Sequence, residues 1–324
     1  MESLTAFIRL LRPINLAIIA LTMYAMRWGL QFSLLIDSSV FSEFQLSEFH
    51  FMLSVIVMVL LAGAGNLIND YFDVKVDRLN KPEKVLVGRK VKRRVVMVGH
   101  HGFNIIATLI TAYLGYYHGN LWLIAIPVLM AASLWFYSMV FKRQFWIGNF
   151  VVALIVGIVP IWSGMLELPL IAKTIQVIGG DGSSLTKDSW IWLIGYSLFA
   201  FILTLVREVI KDMEDIRGDK ASGFETLPIR WGIKNGKKYT FVLLSVLFGG
   251  FSFSLWSISK FTLIESNSVL FYTLFAAAVI VPFLITWFYL ARAKNRNGFH
   301  HASTWAKWTM AGGILIAALM PFWL

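Results

Sequence analysis

The stretch NDYFDVKVD, Asn69 to Asp77, closes an apolar run that begins near Phe51 and opens a strongly basic segment. Read as a helix, it places Asn69, Asp73 and Asp77 one turn apart on a single face, because side chains at i and i+4 are neighbours on a helix surface. Three hard oxygen donors at the C-terminal end of a helix are unfavourable by themselves. The helix dipole is negative there, and the carboxylates repel one another. The stretch therefore predicts a cation against this face. A donor set of carboxylate and amide oxygens, without thiolate or imidazole, suits Mg²⁺.

Outward from this stretch the chain is apolar. Of its 324 residues 58% are hydrophobic and 15% charged, with a mean hydropathy of +0.70, whereas a soluble domain carries about 25% charged residues. Successive apolar runs of about 18 to 25 residues are each long enough to cross about 30 Å of hydrocarbon as a helix. Such runs extend over about Ile14 to Leu35, Phe51 to Asn69, Val96 to Tyr117, Leu121 to Val140, Phe145 to Met165, Trp190 to Val209, Tyr239 to Ser257, Val269 to Leu290 and Thr304 to Trp323. They are continuously apolar instead of alternating, which argues against a β-barrel. The expected fold is all-α, a polytopic membrane bundle of about nine transmembrane helices around a central cavity, in one integral-membrane domain over residues 1–324.

The formal charge of +11 is not spread evenly. Lys75, Arg78, Lys81, Lys84, Arg89, Lys90, Lys92, Arg93 and Arg94 follow the second run, Lys142 and Arg143 the fourth, and Arg292, Lys294 and Arg296 the eighth. Only Lys173, Lys187 and Lys260 fall clearly in loops of the opposite side. This is the pattern of membrane topology and not of nucleic-acid binding, and it predicts that the acidic row faces the cytoplasm from the cell or inner membrane. Cysteine is absent, which excludes disulfides and Cys-ligated zinc. Arg9 and Arg12 precede a first run that is long and lacks a small-residue cleavage site, so it reads as a retained span. Arg27 stands inside that run, against the apolar pattern. Between runs, His118 to Asn120 form a tight turn, and a polar loop is expected around Gly179 to Ser184.

The sixth run leads into KDMEDIRGDKASGFETLPIRWG, Lys211 to Gly232, where Asp212, Asp215 and Asp219 again share one helical face. The two acidic rows end spans four apart on the same basic side, a coarse duplication that would set two similar helical groups across one cavity. Carboxylates concentrated there either bind divalent cations or take up protons. Mg²⁺ keeps waters and shares its shell with phosphate oxygens, which points to a phosphorylated substrate. Arg78, Lys84, Arg89, Lys142 and Arg143 are the cations available to grip it. Diphosphate held this way is a good leaving group, because charge growing on the departing oxygens is met by groups already in place. A bilayer-facing cavity receives a hydrocarbon tail. The combination predicts an isoprenyl diphosphate that ionises at its allylic carbon and is captured by an acceptor, with Tyr137 shielding the cationic carbon. Asn15 and Asn149 are expected to line the cavity. The pairs His100-His101 and His300-His301 are read as interfacial and not as ligands.

These residues resemble a known family, the UbiA-type intramembrane prenyltransferases. NDYFDVKVD is similar to the first Asp-rich motif of that family, and the stretch through Asp212, Asp215 and Asp219 to the second. Arg12 to Asn15 (RPIN), Tyr137-Ser138 followed by Lys142-Arg143, and Gly148-Asn149 are similar to further family features in the same order. The resemblance covers essentially the whole chain. It implies transfer of a polyprenyl group, geranylgeranyl, from an allylic diphosphate to a lipid acceptor with Mg²⁺. Asn69, Asp73, Asp77, Asp212, Asp215 and Asp219 are then the metal-binding residues. Asp73, Asp77, Asp215, Asp219 and Tyr137 take the catalytic roles, and Asn15, Asn69, Arg78, Lys84, Arg89, Lys142 and Asn149 bind substrate. Within the family, REVIKDMEDIRGDKASGFETLPIRWG is most similar to members that alkylate geranylgeranylglyceryl phosphate to make ether lipids, and less so to chlorophyll synthases. One departure is Lys84-Val85, where the family commonly carries Arg-Pro; a lysine supplies charge without a bidentate fork. Two alternatives remain open: an aromatic acceptor such as a quinone or pigment precursor, and a transporter whose acidic rows bind a moving cation.

Overall fold

The structure is a computed structural model and describes residues 2–36, 43–80, 82–260 and 268–322. An amphipathic helix α1 (Glu2–Leu11) leads through Arg12 into α2 (Pro13–Tyr24), where Pro13 occupies the first turn because no N–H donor is needed there. The first span continues as a π-helical segment (Ala25–Gln31) and a short α3 (Phe32–Ile36). Then come α4 (Glu48–Asn80), α5 (Arg93–Tyr117), α6 (Ala125–Met139), α7 (Ile147–Met165), α8 (Glu167–Val177) and α9 (Gly182–Ala221). They are followed by α10 (Leu227–Lys260), α11 (Ser268–Phe275), a second π-helical segment (Ala276–Ile280), α12 (Val281–Arg292) and α13 (Arg296–Leu319). Among the described residues nine helical stretches are long and apolar enough to cross a membrane, and the only β-pairing is an isolated bridge between Val87 and Val91. The all-α bundle is the one the apolar runs predicted. The chain is an integral membrane protein.

The two acid-bearing helices outrun their apolar stretches. Helix α4 has 33 residues and α9 has 40, lengths of about 50 and 60 Å against a hydrocarbon core of about 30 Å. Between Leu67 and Asn80 there is neither Gly nor Pro to stop α4, so the helix carries Asn69, Asp73 and Asp77 beyond its apolar part. At its other end α9 starts at Gly182 and not near Trp190. The polar loop expected around Gly179 to Ser184 is therefore shorter. Asp181 caps the helix by accepting from the backbone N–H groups of Ser183 and Ser184, both at 3.1 Å, so polar residues outside the hydrocarbon join the helix without penalty.

Among the described residues two large apolar cores fill the bundle, and a smaller one gathers Ala6, Leu10, Leu67, Val74 and Val96 beside α1. One joins α4, α5, α6 and α7 through Val57, Leu61, Leu114, Met130, Val159 and Trp162. The other joins α9, α10, α12 and α13 through Leu203, Val206, Leu244, Phe283 and Ala306. Each half thus owns one acidic helix, as the coarse duplication suggested, and α9 packs on both α7 and α4 to close the halves together. Both π-helical segments press on α13 at glycines. A Cβ on Gly29 would lie 1.9 Å from the Ala317 carbonyl oxygen, and one on Gly312 would lie 1.8 Å from that of Ala278. Close backbone approach at small residues is how membrane helices gain packing contact without a hydrophobic drive.

Arg27 finds its partners through this packing. Its guanidinium, 1% exposed, pairs with Glu167 of α8 at 2.9 Å and Glu48 of α4 at 3.1 Å. It also donates to the Leu46 carbonyl and lies 4.4 Å from the ring centres of both Phe44 and Phe51. Glu167 in turn accepts from the backbone N–H groups of Gln45 and Leu46 at 2.7 and 3.1 Å. A buried charge in a span is tolerated where it is paired and hydrogen-bonded. Here it ties the first span to the segment before α4 and to α8, at the end of the bundle opposite the acidic rows.

Candidate active site

Helix geometry alone makes the first row. Asn69 Nδ2 donates to Asp73 Oδ2 at 2.8 Å, one turn along the same face of α4. The expected cation is present as a side chain: Lys142 Nζ donates to Asn69 Oδ1 at 3.2 Å and makes a short ion pair with Asp73. Burial pushes the Lys142 ammonium down, but Asp73, Tyr137 and Asp77 together push it further up, and the net displacement is upward. A raised folded value means that the pairing is fully present below the ordinary lysine pKa and is lost only as pH rises through the folded one. Lys142 is charged at any working pH.

Local strain positions this lysine. It rides in a 3₁₀ turn (Phe141–Arg143) between α6 and α7, and the chain re-enters the helix through Trp146 at φ 63°, a conformation costly for a bulky residue. Trp146 is held there by donating to the Tyr239 hydroxyl at 2.7 Å and by stacking on Phe150. Gly148 completes the turn, since a Cβ on it would sit 2.7 Å from the Phe141 carbonyl oxygen and 2.9 Å from Lys142 Cα. One residue on, Asn149 Nδ2 donates to Asp212 Oδ2 of α9 at 2.8 Å. The turn and the start of α7 therefore bridge the rows, Lys142 to the first and Asn149 to the second. A cavity of about 840 Å³ opens behind this turn, walled by Arg143, Phe145, Trp146, Arg230, Trp231 and Tyr239.

The two rows lie on one side of the bundle. Asp219, 9% exposed, feels the charges of Asp215, Lys142 and Asp73, and Tyr137 feels those of Lys142, Glu208, Asp73 and Asp212. Asp215 pairs with Arg296 of α13 at 3.5 Å. The donor set fits a hard divalent cation: amide and carboxylate oxygens on two facing helices, already satisfied in part by an ammonium group. Among the described residues no three of His, Asp or Glu converge tightly enough to hold an ion unaided. Asparagine, water and substrate oxygens would complete the shell, as Mg²⁺ prefers.

Other expected site residues stand apart from this cluster. Arg89 donates to the Pro82 carbonyl at 2.9 Å within its own basic turn. Arg78 is exposed at the end of α4, and Asn15 is exposed in the first turn of α2. The side chain of Lys84 lies outside the described residues. Asp70, off the row, pairs with Arg12 at 2.6 Å, and Arg12 holds a left-handed backbone at φ 55° between α1 and α2. Of the histidines, His100 is not interfacial but buried, donating from Nδ1 to the Ala64 carbonyl at 2.9 Å, while His300 pairs with Glu214 at 3.1 Å. Sequence reasoning missed Glu208, which is buried and paired with Arg207 and Lys211 at 2.8 and 3.3 Å. Its place four residues before Asp212 was the available signal, because it extends the second row by one turn.

The chain as a whole is similar to known proteins. The sequence matches the UbiA prenyltransferase family over residues 16–311. It is 29% identical over 230 residues to a digeranylgeranylglyceryl phosphate synthase of Methanothermobacter thermautotrophicus, covering 70% of this chain and 67% of the relative. It is 35% identical over 188 residues to the synthase of the same name from Thermococcus sibiricus, covering 58% of each. In fold it is similar to a structure described as digeranylgeranylglyceryl phosphate synthase in membranes, with a TM-score of 0.62 at 21% identity over 98% of this chain and 99% of the other. A UbiA homologue from Archaeoglobus fulgidus bound to DMAPP and Mg²⁺ gives a TM-score of 0.56 at 15% identity over 97% and 99% of the two chains.

Proposed function

The chain belongs to the UbiA prenyltransferase family, and from that premise we propose that it transfers a geranylgeranyl group from its allylic diphosphate to the free hydroxyl of geranylgeranylglyceryl phosphate. The observation that carries the reading is the joining of the two acidic rows through one turn, Lys142 on Asp73 and Asn149 on Asp212. The names of the similar synthases support the acceptor, and the Archaeoglobus homologue bound to DMAPP and Mg²⁺ supports the donor class and the ion. The reading takes residues 1–324 as a single prenyltransferase domain. Its site faces the cytoplasm, because the acid-bearing helix ends lie beside the basic turns.

Asn69, Asp73 and Asp77 on α4, with Asp212, Asp215 and Asp219 on α9, would hold the metal. When bound, Mg²⁺ supplies Lewis-acid stabilisation of the charge that develops on the departing diphosphate. The chain's own residues do the rest. Lys142 adds a fixed positive charge beside the first row. Asn149 holds Asp212 in place, and the Trp146 turn keeps Lys142 and Asn149 at a set separation. Tyr137, among these charges, turns an aromatic face to the allylic carbon and steadies its positive charge. The bond between that carbon and the diphosphate oxygen breaks, and the oxygen keeps the electron pair. The acceptor hydroxyl then forms the new carbon–oxygen bond and releases its proton to a basic oxygen of the site.

An acceptor panel tests this. Purified protein is given geranylgeranyl diphosphate with geranylgeranylglyceryl phosphate or with aromatic acceptors such as a hydroxybenzoate, and products are read by mass. The expected product is the dialkyl glyceryl phosphate. Alkylation of an aromatic acceptor with none of the lipid would replace the acceptor, and cation flux without any product would remove the enzyme reading.

A further inference from the structure

Trp146 is the centre of a three-residue turn. Ile147 donates its backbone N–H to the Phe145 carbonyl at 2.7 Å, and Trp146 between them holds φ 63° and ψ −33°, close to the rare and strained form of the γ-turn. A bulky residue left to itself there relaxes to negative φ. The space behind the turn is the cavity of about 840 Å³ and not packed core, so specific contacts have to hold it. They come from the other half of the bundle. Glu225 donates its N–H to the Arg143 carbonyl at 2.9 Å, the Trp231 ring meets Phe145 edge-on at 4.9 Å between centres, and the Tyr239 hydroxyl accepts from Trp146 Nε1 at 2.7 Å. Among these contacts the Tyr239 hydrogen bond is the one that grips the strained residue itself. Trp231, just before the break in α10 at Gly232 (φ 80°), also meets Tyr239 edge-on at 6.5 Å and backs its ring.

What the turn carries makes this hold consequential. Before Trp146 in the chain, Lys142 pairs with Asp73 of α4; after it, Asn149 donates to Asp212 of α9 at 2.8 Å. A rotation about φ at Trp146 swings one of these side chains relative to the other, so both acids stay engaged only while that angle is fixed. Strain kept at such a point marks a site where geometry matters. We infer that Tyr239 is a positioning residue for the transfer: its hydroxyl holds the Trp146 turn and thereby keeps Lys142 and Asn149 seated on the two acidic rows at once. Tyr239 acts through Trp146, from an element that carries neither row. The role rests on the proposed function, because it serves the same site.

The test removes the hydrogen bond from either side in full-length protein in nanodiscs. Tyr239→Phe deletes one oxygen and leaves the ring against Trp231, whereas Trp146→Phe deletes the donor and leaves a ring to stack on Phe150. For geranylgeranyl transfer to geranylgeranylglyceryl phosphate, kcat should fall about ten- to a hundredfold in each variant, the scale of a small misplacement of reacting groups. The double variant should be no slower than either single one, because all three lack the same contact. KM for the acceptor should stay unchanged, while the Mg²⁺ concentration for half-maximal rate should rise as the rows lose alignment. The melting temperature should fall little, since release of the strained backbone offsets the lost hydrogen bond. A merely structural tyrosine would lower the folded fraction and leave kcat per folded molecule and the Mg²⁺ dependence alone. Amide exchange over residues 143–150, read by mass spectrometry without substrate, should quicken in both variants and supplies an arm independent of turnover. If Trp146→Phe is not recovered folded, kcat and exchange in Tyr239→Phe decide. Unchanged kcat in Tyr239→Phe would overturn the inference, as would losses that multiply in the double variant or exchange that stays at the wild-type rate. If exchange quickens while wild type transfers no prenyl group to any acceptor, the hold on the turn stands and the proposed function fails.

Discussion

Asp73 is shared by Asn69 and Lys142, so its loss acts on the first row and on the turn that joins the rows. Asp73→Ala and Asp215→Ala are each expected to lower turnover by at least about 10²-fold, the scale of removing a preorganised electrostatic group, while insertion and monodispersity in detergent stay normal. Radiolabel transfer and size-exclusion profiles check this together, and full activity in either variant removes that residue from the site. The register of Asn69, Asp73 and Asp77 was legible because helical neighbours follow from spacing alone. Glu208 was legible by the same rule and overlooked, since it sits in the apolar-looking segment before Asp212. The Arg12 to Asp70 pair was not legible. It joins residues 58 apart and depends on a left-handed backbone at Arg12 that no local pattern signals.

At the scale of elements, apolar run length placed the spans well, because bilayer thickness sets the same minimum for each. It misplaced the start of α9, where a capped helix continues outside the hydrocarbon. It also gave no hint of the two π-helical segments, which follow from close packing on α13. Arg27 is the case in which a residue that broke the pattern marked a tertiary lock. Arg27→Met or Glu167→Gln alone should destabilise the protein by about 3–5 kcal/mol, because each leaves a buried partner uncompensated. The double variant should recover much of that loss. Unfolding in detergent followed by intrinsic fluorescence reads the cycle, and additive losses would mean that the two side chains do not act as a pair.

For the whole molecule, the basic bias of the loops predicts an orientation that can be tested directly because the chain has no cysteine. In intact cells a membrane-impermeant thiol reagent should label Lys173→Cys, and should reach Lys90→Cys only after permeabilisation. The opposite pattern would turn the acidic rows to the outside and cut them off from a cytoplasmic donor. The central claim is that two acid-bearing helix ends, bridged by the Lys142 to Asn149 turn, use Mg²⁺ to release a prenyl group from its diphosphate. The most direct measurement is the transfer of labelled geranylgeranyl from its diphosphate to geranylgeranylglyceryl phosphate by purified protein, as Mg²⁺ is removed with chelator and restored. Product should vanish and return with the ion. Undiminished transfer in its absence would contradict the claim.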